Sequence, residues 1–235
     1  MLILVTVCIL GLIFFVSFYY SDGFIAYAKT DYGYIVKTLV PWHIVPGQTL
    51  YVNIVNEANV PESKINVVEQ AIMSNETIAL DDPIMHKGPT GSSSVYYKGW
   101  EGALVAASIN STRYQIPNNF RIVQSSPLSG DIVIKLTSEL DPDGLTGKTK
   151  PLTFQNKIVR STIMIYGADK LSGQQIATIT RHEFGHALGL EHSTDPEDLM
   201  HASIQMEYPY ISPCDVDAIR ALYDGNQLSQ VVCKK

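Results

Sequence analysis

The stretch from His182 to His192 constrains the fold more than any other part of the chain. His182 and His186 are spaced i, i+4, so on a helix their imidazoles project from one face, one turn apart, as two ligands of a single metal ion must. Gly189 can adopt a positive φ without a Cβ penalty. The helix can therefore end there, and the chain can turn back to bring His192 in as a third ligand.

The residue types in this stretch predict chemistry at the metal. Three neutral imidazoles leave the fourth position of a tetrahedral zinc ion open for water, and an open position is typical of catalytic zinc. Glu183 lies beside the metal without ligating it, where a general base for the zinc-bound water belongs. An amphipathic helix with two surface histidines is the simpler interpretation, but Gly189 and His192 at the required spacing make it a poor one.

The spacing HExxHxxGxxH followed by a methionine resembles the metzincin signature, in which a Met-turn follows the third histidine. Met200 lies where that methionine is expected. The segment His192-Ser193-Thr194-Asp195-Pro196, followed by Asp198-Leu199-Met200, is similar to the matrixin branch (peptidase family M10). Ala202 stands where the astacin and serralysin branches carry a tyrosine. The resemblance is strong over residues 174–225 and is one of pattern only over residues 35–170.

The resemblance implies an α+β, zincin-like fold, in which a twisted mixed β-sheet packs on a long helix and on the zinc-binding helix, with a C-terminal helix after the Met-turn. It also implies a zinc-dependent endopeptidase that hydrolyses peptide bonds of extracellular or cell-surface proteins. In this interpretation zinc is bound by His182, His186 and His192, Glu183 activates the bound water, and Met200 forms an apolar floor beneath the metal.

Two alternatives to this function stay open. One is a catalytically silent binding module that keeps zinc as a structural element, and the other is a zinc hydrolase acting on a small molecule. The matrixin resemblance places residues 201–211 along the pocket for the side chain just after the cut. His201-Ala202-Ser203 departs from the aromatic residue and proline that are usual there, so the pocket wall is expected to differ.

The N-terminal residues predict export. Residues 2–20 carry no charge and are long enough to span a bilayer, so residues 1–28 form a signal peptide or an N-terminal membrane anchor. Ala26-Tyr27-Ala28 favours cleavage, whereas the length of the apolar run favours a retained single-pass anchor. Both place residues 29–235, the predicted matrixin-like catalytic domain, outside the cytoplasm.

Charge and cysteine content narrow the partners. A net charge of −6 and an isoelectric point near 5.5, without a basic stripe, argue against a nucleic-acid partner. Cys214 and Cys233 form a disulfide if the domain is exported, or else remain free thiols. No cysteine lies between residue 29 and the zinc motif, so the latency by a propeptide cysteine that is common in matrixins is not expected. The oligomeric state is not predicted.

Periodicity and turn residues predict the other elements. They indicate β-prone runs at 34–40 and 42–45, a strand at 50–55, a helix from Pro61 to near Asn75, a loop over 81–99 that is a lid or a disordered insertion, and an apolar helix or strand at 100–108. Farther on they indicate strands at 120–123 and 131–136 joined by a turn, a strand at 157–166, the zinc helix at 174–190 and a last helix at 212–225.

Two segments before the zinc helix resemble functional parts of matrixins. Lys148–Phe154 corresponds to the short edge strand along the upper rim of the metzincin cleft, where an extended peptide can add to the sheet. Asp141–Gly147 resembles the loop from which matrixins bind structural calcium, although a plain turn explains the same residues. Calcium is therefore a second candidate metal beside zinc.

Overall fold

The computed structural model describes residues 34–84, 89–126, 128–204, 209–225 and 230–233, with the backbone alone for residues 34–38 and 230–233. The helices are α1 (Glu62–Met73), α2 (Trp100–Ala107), α3 (Gly173–Leu188) and α4 (Pro213–Tyr223). The strands are β1 (Tyr34–Thr38), β2 (Leu50–Asn56), β3 (Thr77–Asp81), β4 (Ser93–Tyr97), β5 (Phe120–Val123), β6 (Ile132–Leu136), β7 (Gly147–Phe154), β8 (Lys157–Ile165), β9 (Leu190–Ser193) and β10 (Gln230–Cys233).

The main sheet has five strands in the order β5-β2-β6-β8-β7. Four of them run parallel, and β7 pairs antiparallel with β8 at the edge. This mixed sheet with its helices confirms the predicted α+β class, and β7 confirms the predicted edge strand. The strands at 120–123 and 131–136 do not pair with each other, as a direct turn between them suggested, because β2 lies between them.

Asn53 explains how β2 is held between β5 and β6. Its side chain is completely buried. The amide donates to the carbonyl oxygens of Ser126 and Ser129 and accepts a hydrogen bond from the Ser125 N–H. A buried amide with all these bonds satisfied fixes the β5–β6 connection across the end of β2.

The core lies between the main sheet and the helices α1 and α3. Ile134 and Ile163 of the sheet and Ile176 and Phe184 of α3 are completely buried in one cluster. Each such side chain contributes about 1.5–3 kcal/mol through its removal from water. Trp42 also enters this core, where its indole N–H donates to the Ala187 carbonyl. The β-prone run at 42–45 is therefore not a strand; it makes one isolated bridge, from Trp42 to β8.

A second sheet, in the order β10-β1-β9, was not foreseen. β1 pairs antiparallel with both neighbours, and the Leu39 N–H extends the contact with β9 by donating to the Gly189 carbonyl. The predicted zinc helix was too long at its C-terminus, because it ends at Leu188 and the chain continues as β9 from Leu190. This sheet carries His192.

The segment at 81–99 is not the long loop that its composition suggested. β3 and β4 form an antiparallel hairpin over residues 77–97, with residues 85–88 outside the described part. The hairpin packs through the buried side chains of Leu80 and Tyr96. The segment after it, left open between helix and strand, is the helix α2. The last helix begins as predicted, with Ser212 as its N-cap and Pro213 in its first turn.

Several predictions concern residues that the structure describes incompletely or not at all. The leader and its proposed membrane span at 2–20 lie outside the described residues. Among the helices that are described, none has the length and apolarity needed to cross a bilayer. Cys214 is disulfide-bonded, so the alternative of two free thiols is wrong for this residue; the side chain of Cys233 is not described.

Candidate active site

α3 presents the first two histidines from a helix with well-defined ends. At its start, the Ser172 side chain accepts from the Gln175 N–H and the Gln175 side chain accepts from the Ser172 N–H, which forms a capping box. At its end, Gly189 has a φ of 106°. A Cβ there would meet the Val40 carbonyl oxygen and the Leu222 side chain, so both the conformation and the space require glycine.

The three predicted ligands come together. One possible ligand atom from each of His182, His186 and His192 lies within 4.8 Å of the others, and this is the one such group of histidine, cysteine and acidic side chains among the described residues. His182 is 6% exposed, His186 is half-buried and His192 is exposed. The predicted arrangement of two helical histidines and one that returns after Gly189 is what the structure contains.

The hydrogen bonds of the imidazoles show that this group suits a cation. The Nδ1 atoms of His182 and His186 lie 2.7 Å and 2.8 Å from the carbonyl oxygens of Leu199 and Leu190. A carbonyl only accepts, so each Nδ1 carries the proton and each Nε2 has a free lone pair. The two Nε2 atoms are 3.1 Å apart. Two lone pairs at this distance repel each other unless a cation lies between them.

A proton is poorly suited to the position between the Nε2 atoms of His182 and His186. Burial lowers the pKa of His182 from its ordinary value of 6.5 to about 4. Burial, reinforced by the neighbouring His182 ring, lowers the pKa of His186 to about 3. Both rings are therefore neutral at physiological pH, which is the state that ligates a metal. Imidazole nitrogen is a preferred ligand of zinc, and the donor set agrees with a zinc ion.

The turn around Met200 contacts both α3, which carries His182 and His186, and β9, which carries His192. Met200 is completely buried, and a Cβ on Gly185 would meet its sulfur atom, so the thioether packs against α3 between the two helical histidines. The Met200 carbonyl accepts from the Ser193 N–H, next to His192 on β9. This position agrees with the predicted apolar floor.

Two buried carboxylates join the Met-turn to α4. Asp198 accepts from the Met200 N–H with Oδ1 and from the Ser212 hydroxyl with Oδ2. Asp215 accepts from the Ser212 N–H and lies close to the same hydroxyl. Both carboxyl groups are completely buried, and burial together with the nearby Asp198 charge raises the pKa of Asp215 well above its usual range. The last helix thereby fixes the floor of the site.

Glu183 lies beside the histidines and is held by β7. Its Oε2 accepts a 2.6 Å hydrogen bond from the Thr149 hydroxyl. Its Oε1 occupies the place where a Cβ of Gly147 would be. Burial raises the pKa of Glu183 from 4.5 to about 7, and the Thr149 hydrogen bond opposes part of this rise. Such a carboxyl group can both accept and return a proton near neutral pH.

Two adjoining cavities form a cleft with Glu183 where they meet. One has a volume of about 540 Å³ and the other of about 370 Å³, and His182, Glu183 and Gly147 line both. Of the pocket wall predicted at 201–211, the described residues Ala202, Ser203, Ile204 and Pro209 line the larger cavity. The smaller cavity reaches the other two histidines and the rim strand β7.

The predicted calcium loop has a different set of contacts. The Asp141 carboxylate accepts from the Asp143 N–H, and the Lys148 ammonium lies 3.8 Å and 3.9 Å from Asp141 and Asp143. These contacts are those of a turn with a lysine across it, and they give no support to calcium.

The sequence did not identify the residues from β7, the Met200 turn and α4 that pack against or hydrogen-bond to the site. Thr149 and Gly147 are spaced i, i+2 on β7 and so face the same side of the strand, but neither residue type signals a role alone. Asp198, Ser212 and Asp215 were assigned to a turn and a helix start. A signal was present in the capping sequence Ser212-Pro213-Cys214-Asp215, although its partner Asp198 could not be identified from it.

Comparisons with known proteins agree with the geometry. Residues 110–224 match the family model for matrixin. The probable matrix metalloproteinase 095L of Invertebrate iridescent virus 3 is 42% identical over 67 residues, which are 28% of this chain and 18% of the viral protein. Human matrix metalloproteinase-20 is 47% identical over 55 residues, or 22% of this chain and 11% of the relative.

The macrophage metalloelastase of Oryctolagus cuniculus is 35% identical over 65 residues, which are 26% of this chain and 14% of that protein. Each match thus covers less than a fifth of the relative's length. The family model spans the strands β5 to β8, the helix α3, the strand β9, the turn around Met200 and the helix α4. The chain carries a matrixin-like catalytic domain, matched over residues 110–224.

Proposed function

We propose that this chain is a zinc-dependent endopeptidase, with His182, His186 and His192 as the zinc ligands and Glu183 as the general base. The observation that carries the proposal is the convergence of three imidazoles, two of them with unprotonated Nε2 atoms 3.1 Å apart, beside a buried carboxylate at the junction of two cavities. A bound zinc ion would supply Lewis acidity toward a water molecule and toward the scissile carbonyl.

The chain's own residues supply proton transfer and positioning. Glu183 accepts a proton from the attacking water as the water oxygen bonds to the carbonyl carbon, and it returns this proton to the nitrogen as the C–N bond breaks. Its position beside the histidines, where the two cavities meet, suits both steps. Met200 and the Asp198 network keep the histidines in place and exclude water from beneath them.

The cleft favours a polypeptide substrate over a small molecule. β7 is the last strand of the main sheet in the described residues and borders the smaller cavity. The backbone groups on its outer side can pair with an extended peptide. The larger cavity, about 540 Å³, can accommodate one long side chain of that peptide. Two of the relatives named above are metalloproteinases by name and the third is a metalloelastase, which agrees with this substrate class.

Hydrolysis of a mixed peptide library tests the proposal. The parent and a Glu183→Gln variant are compared, with the zinc content measured on the same samples. We expect one zinc ion per chain in both proteins and cleavage by the parent alone. Equal cleavage by the two proteins, or none in a zinc-loaded parent, contradicts the proposal and favours a binding module.

We also propose that the domain acts outside the cytoplasm, with residues 1–28 as the leader and 29–235 as the functional domain. The uncharged stretch at 2–20 and the disulfide at Cys214 support export. Expression of the full chain in a secretory host, followed by N-terminal sequencing of the product, distinguishes a cleaved signal peptide from a retained anchor. A reduced, cytoplasmic product contradicts export.

A further inference from the structure

We propose that Thr149 is a positioning residue for Glu183, so that the rim strand β7 both borders the substrate cleft and orients the general base. This inference rests on the proposed function and adds a residue to it. Nothing in the zinc motif contains Thr149, which is separated from Glu183 by β8 and most of α3 in the chain. Its role follows from its contacts.

The Thr149 hydroxyl makes a short contact with one specific oxygen of Glu183. Oγ1 lies 2.6 Å from Oε2 and 2.9 Å from the Glu183 carbonyl oxygen. A hydroxyl has one proton and two acceptors lie within reach, so the proton goes to the ionised carboxylate, which forms the stronger bond. Oε2 is therefore occupied whenever Glu183 is ready to accept a proton.

Gly147 gives the second contact from the same strand. It faces the same side of β7 as Thr149, and its missing Cβ leaves the space that Oε1 of Glu183 fills. Among the described residues Oε1 takes no hydrogen bond, so this oxygen is left to receive the proton. Together the two residues fix the carboxylate plane and select the reacting oxygen.

The Thr149 contact matters because it restricts the side-chain conformation of Glu183. A glutamate side chain is flexible and can adopt several rotamers. Holding it in one rotamer lowers the activation barrier of hydrolysis only if that rotamer places the carboxylate toward the attacking water. The neighbouring residue Ile179 also contacts the Gly147 site but offers no polar atom. The Thr149 hydroxyl is thus the polar group that holds Glu183 from the rim.

The kinetic test uses three substitutions in the full-length chain, each loaded with zinc. Thr149→Val removes the hydroxyl and keeps the shape, Thr149→Ser keeps the hydroxyl, and Thr77→Val makes the same change on β3, at an exposed position. We expect Thr149→Val to lower kcat roughly 10- to 100-fold, the effect of one hydrogen bond to a charged group, with KM and zinc content unchanged. Thr149→Ser and Thr77→Val should retain the parent kcat.

A crystallographic comparison gives a readout that needs no turnover. In the zinc-loaded parent we expect one Glu183 conformer, with Oε2 bonded to Thr149, and in Thr149→Val a displaced or multiple conformer. An unchanged Glu183 in Thr149→Val overturns the inference, as does a serine variant that is as slow as the valine variant. If the parent cleaves no better than Glu183→Gln, the proposed function fails, and the Glu183 conformers still decide the role of Thr149.

Discussion

The two halves of the histidine cluster differ in burial and in how the backbone holds them. The helical half is the more buried one, since His182 on α3 is 6% exposed and His186 is half-buried. The strand half is His192 on β9, which is exposed and reaches the cluster through the positive φ of Gly189. The helix presents two of the proposed ligands at a fixed spacing, whereas the position of the third depends on a turn, on a short strand and on the segment around Met200.

Removing one ligand from each half tests this difference most severely. Sharing the roughly 10–16 kcal/mol of a four-ligand protein zinc site evenly gives about 3 kcal/mol per ligand, so His182→Ala and His192→Ala should each weaken zinc binding at least roughly 100-fold and abolish cleavage. His192→Ala leaves the pre-positioned helical pair and should retain the tighter residual site. Zinc titration against a chelator measures both affinities.

The zinc-free stability of the same variants should separate them further. His182→Ala leaves the buried Leu199 carbonyl without its 2.7 Å partner, which costs about 1–3 kcal/mol. His192→Ala, at an exposed position, should change the free energy of unfolding by less than about 0.5 kcal/mol. The control is His201→Ala, a neighbouring histidine outside the cluster, which should keep zinc. Equal destabilisation by the two ligand variants contradicts the comparison.

Burial of the helical half also predicts a pH dependence in the zinc-free protein. The pKa of His182 is lowered from 6.5 to about 4, and that of His186 to about 3. Below pH 6.5 the unfolded chain binds protons that the folded chain does not. The free energy of unfolding therefore falls with decreasing pH, by up to about 1.4 kcal/mol per pH unit for each imidazole. The fall begins near pH 6.5 and ends near pH 3.

Urea denaturation between pH 7 and pH 4 measures this slope, but Glu183 and the buried Asp215, whose pKa is also raised, contribute with the opposite sign. Asp215 is present in every variant of the series, so its contribution cancels when the variants are compared. The pKa of Glu183 rises from 4.5 to about 7 on folding, so the folded chain holds a proton that the unfolded chain has released, and stability falls as pH rises through that window. The series is therefore made in a Glu183→Gln background. There, His186→Gln should flatten the slope and His192→Gln should leave it intact; the reverse pattern contradicts the assignment.

The two halves of the histidine cluster also differ in how far the sequence predicts them. His182, Glu183 and His186 follow from the 3.6-residue period alone, because helix geometry fixes their relative positions. The strand β9 does not, since its existence depends on pairing with β1, far away in the chain. The helix was consequently predicted to continue to Leu190. Local pattern also mistook the β3–β4 hairpin for a loop, because its Pro and Gly residues mark turns but not strand partners.

The residues that hydrogen-bond to the site from distant segments of the chain were also not predictable from local sequence. The contact between Thr149 and Glu183, and that between Asp198 and Ser212, join segments whose proximity only the fold establishes. Residue type gives no signal there, because threonine is common in strands and aspartate is common in turns. What could be predicted was which histidines come together and that Glu183 lies beside them; what could not was the set of residues that contacts them from other segments.

Gly189→Ala perturbs the turn before β9 without substituting any of the three histidines. Alanine at a φ of 106° is strained, and its Cβ would also meet the Val40 carbonyl. We expect a loss of about 1–3 kcal/mol in the free energy of unfolding and weaker zinc binding, because His192 is displaced. Gly91→Ala is the matched control, since Gly91 has a φ of 89° with nothing within 4 Å. That variant should keep zinc; zinc loss in both, or in neither, contradicts the role of the turn.

The mildest change is Met200→Leu, at the residue that contacts both halves. Its side chain packs against Gly185 on α3, while its carbonyl accepts from the Ser193 N–H on β9. Leucine has a similar volume and leaves the backbone bond intact, so the cost should be less than about 1.5 kcal/mol, with zinc affinity unchanged. Thermal unfolding and zinc titration measure the two quantities, with Met164→Leu on β8 as the control. Zinc loss in Met200→Leu alone would mean that the thioether itself, rather than its packing, joins the two halves of the site.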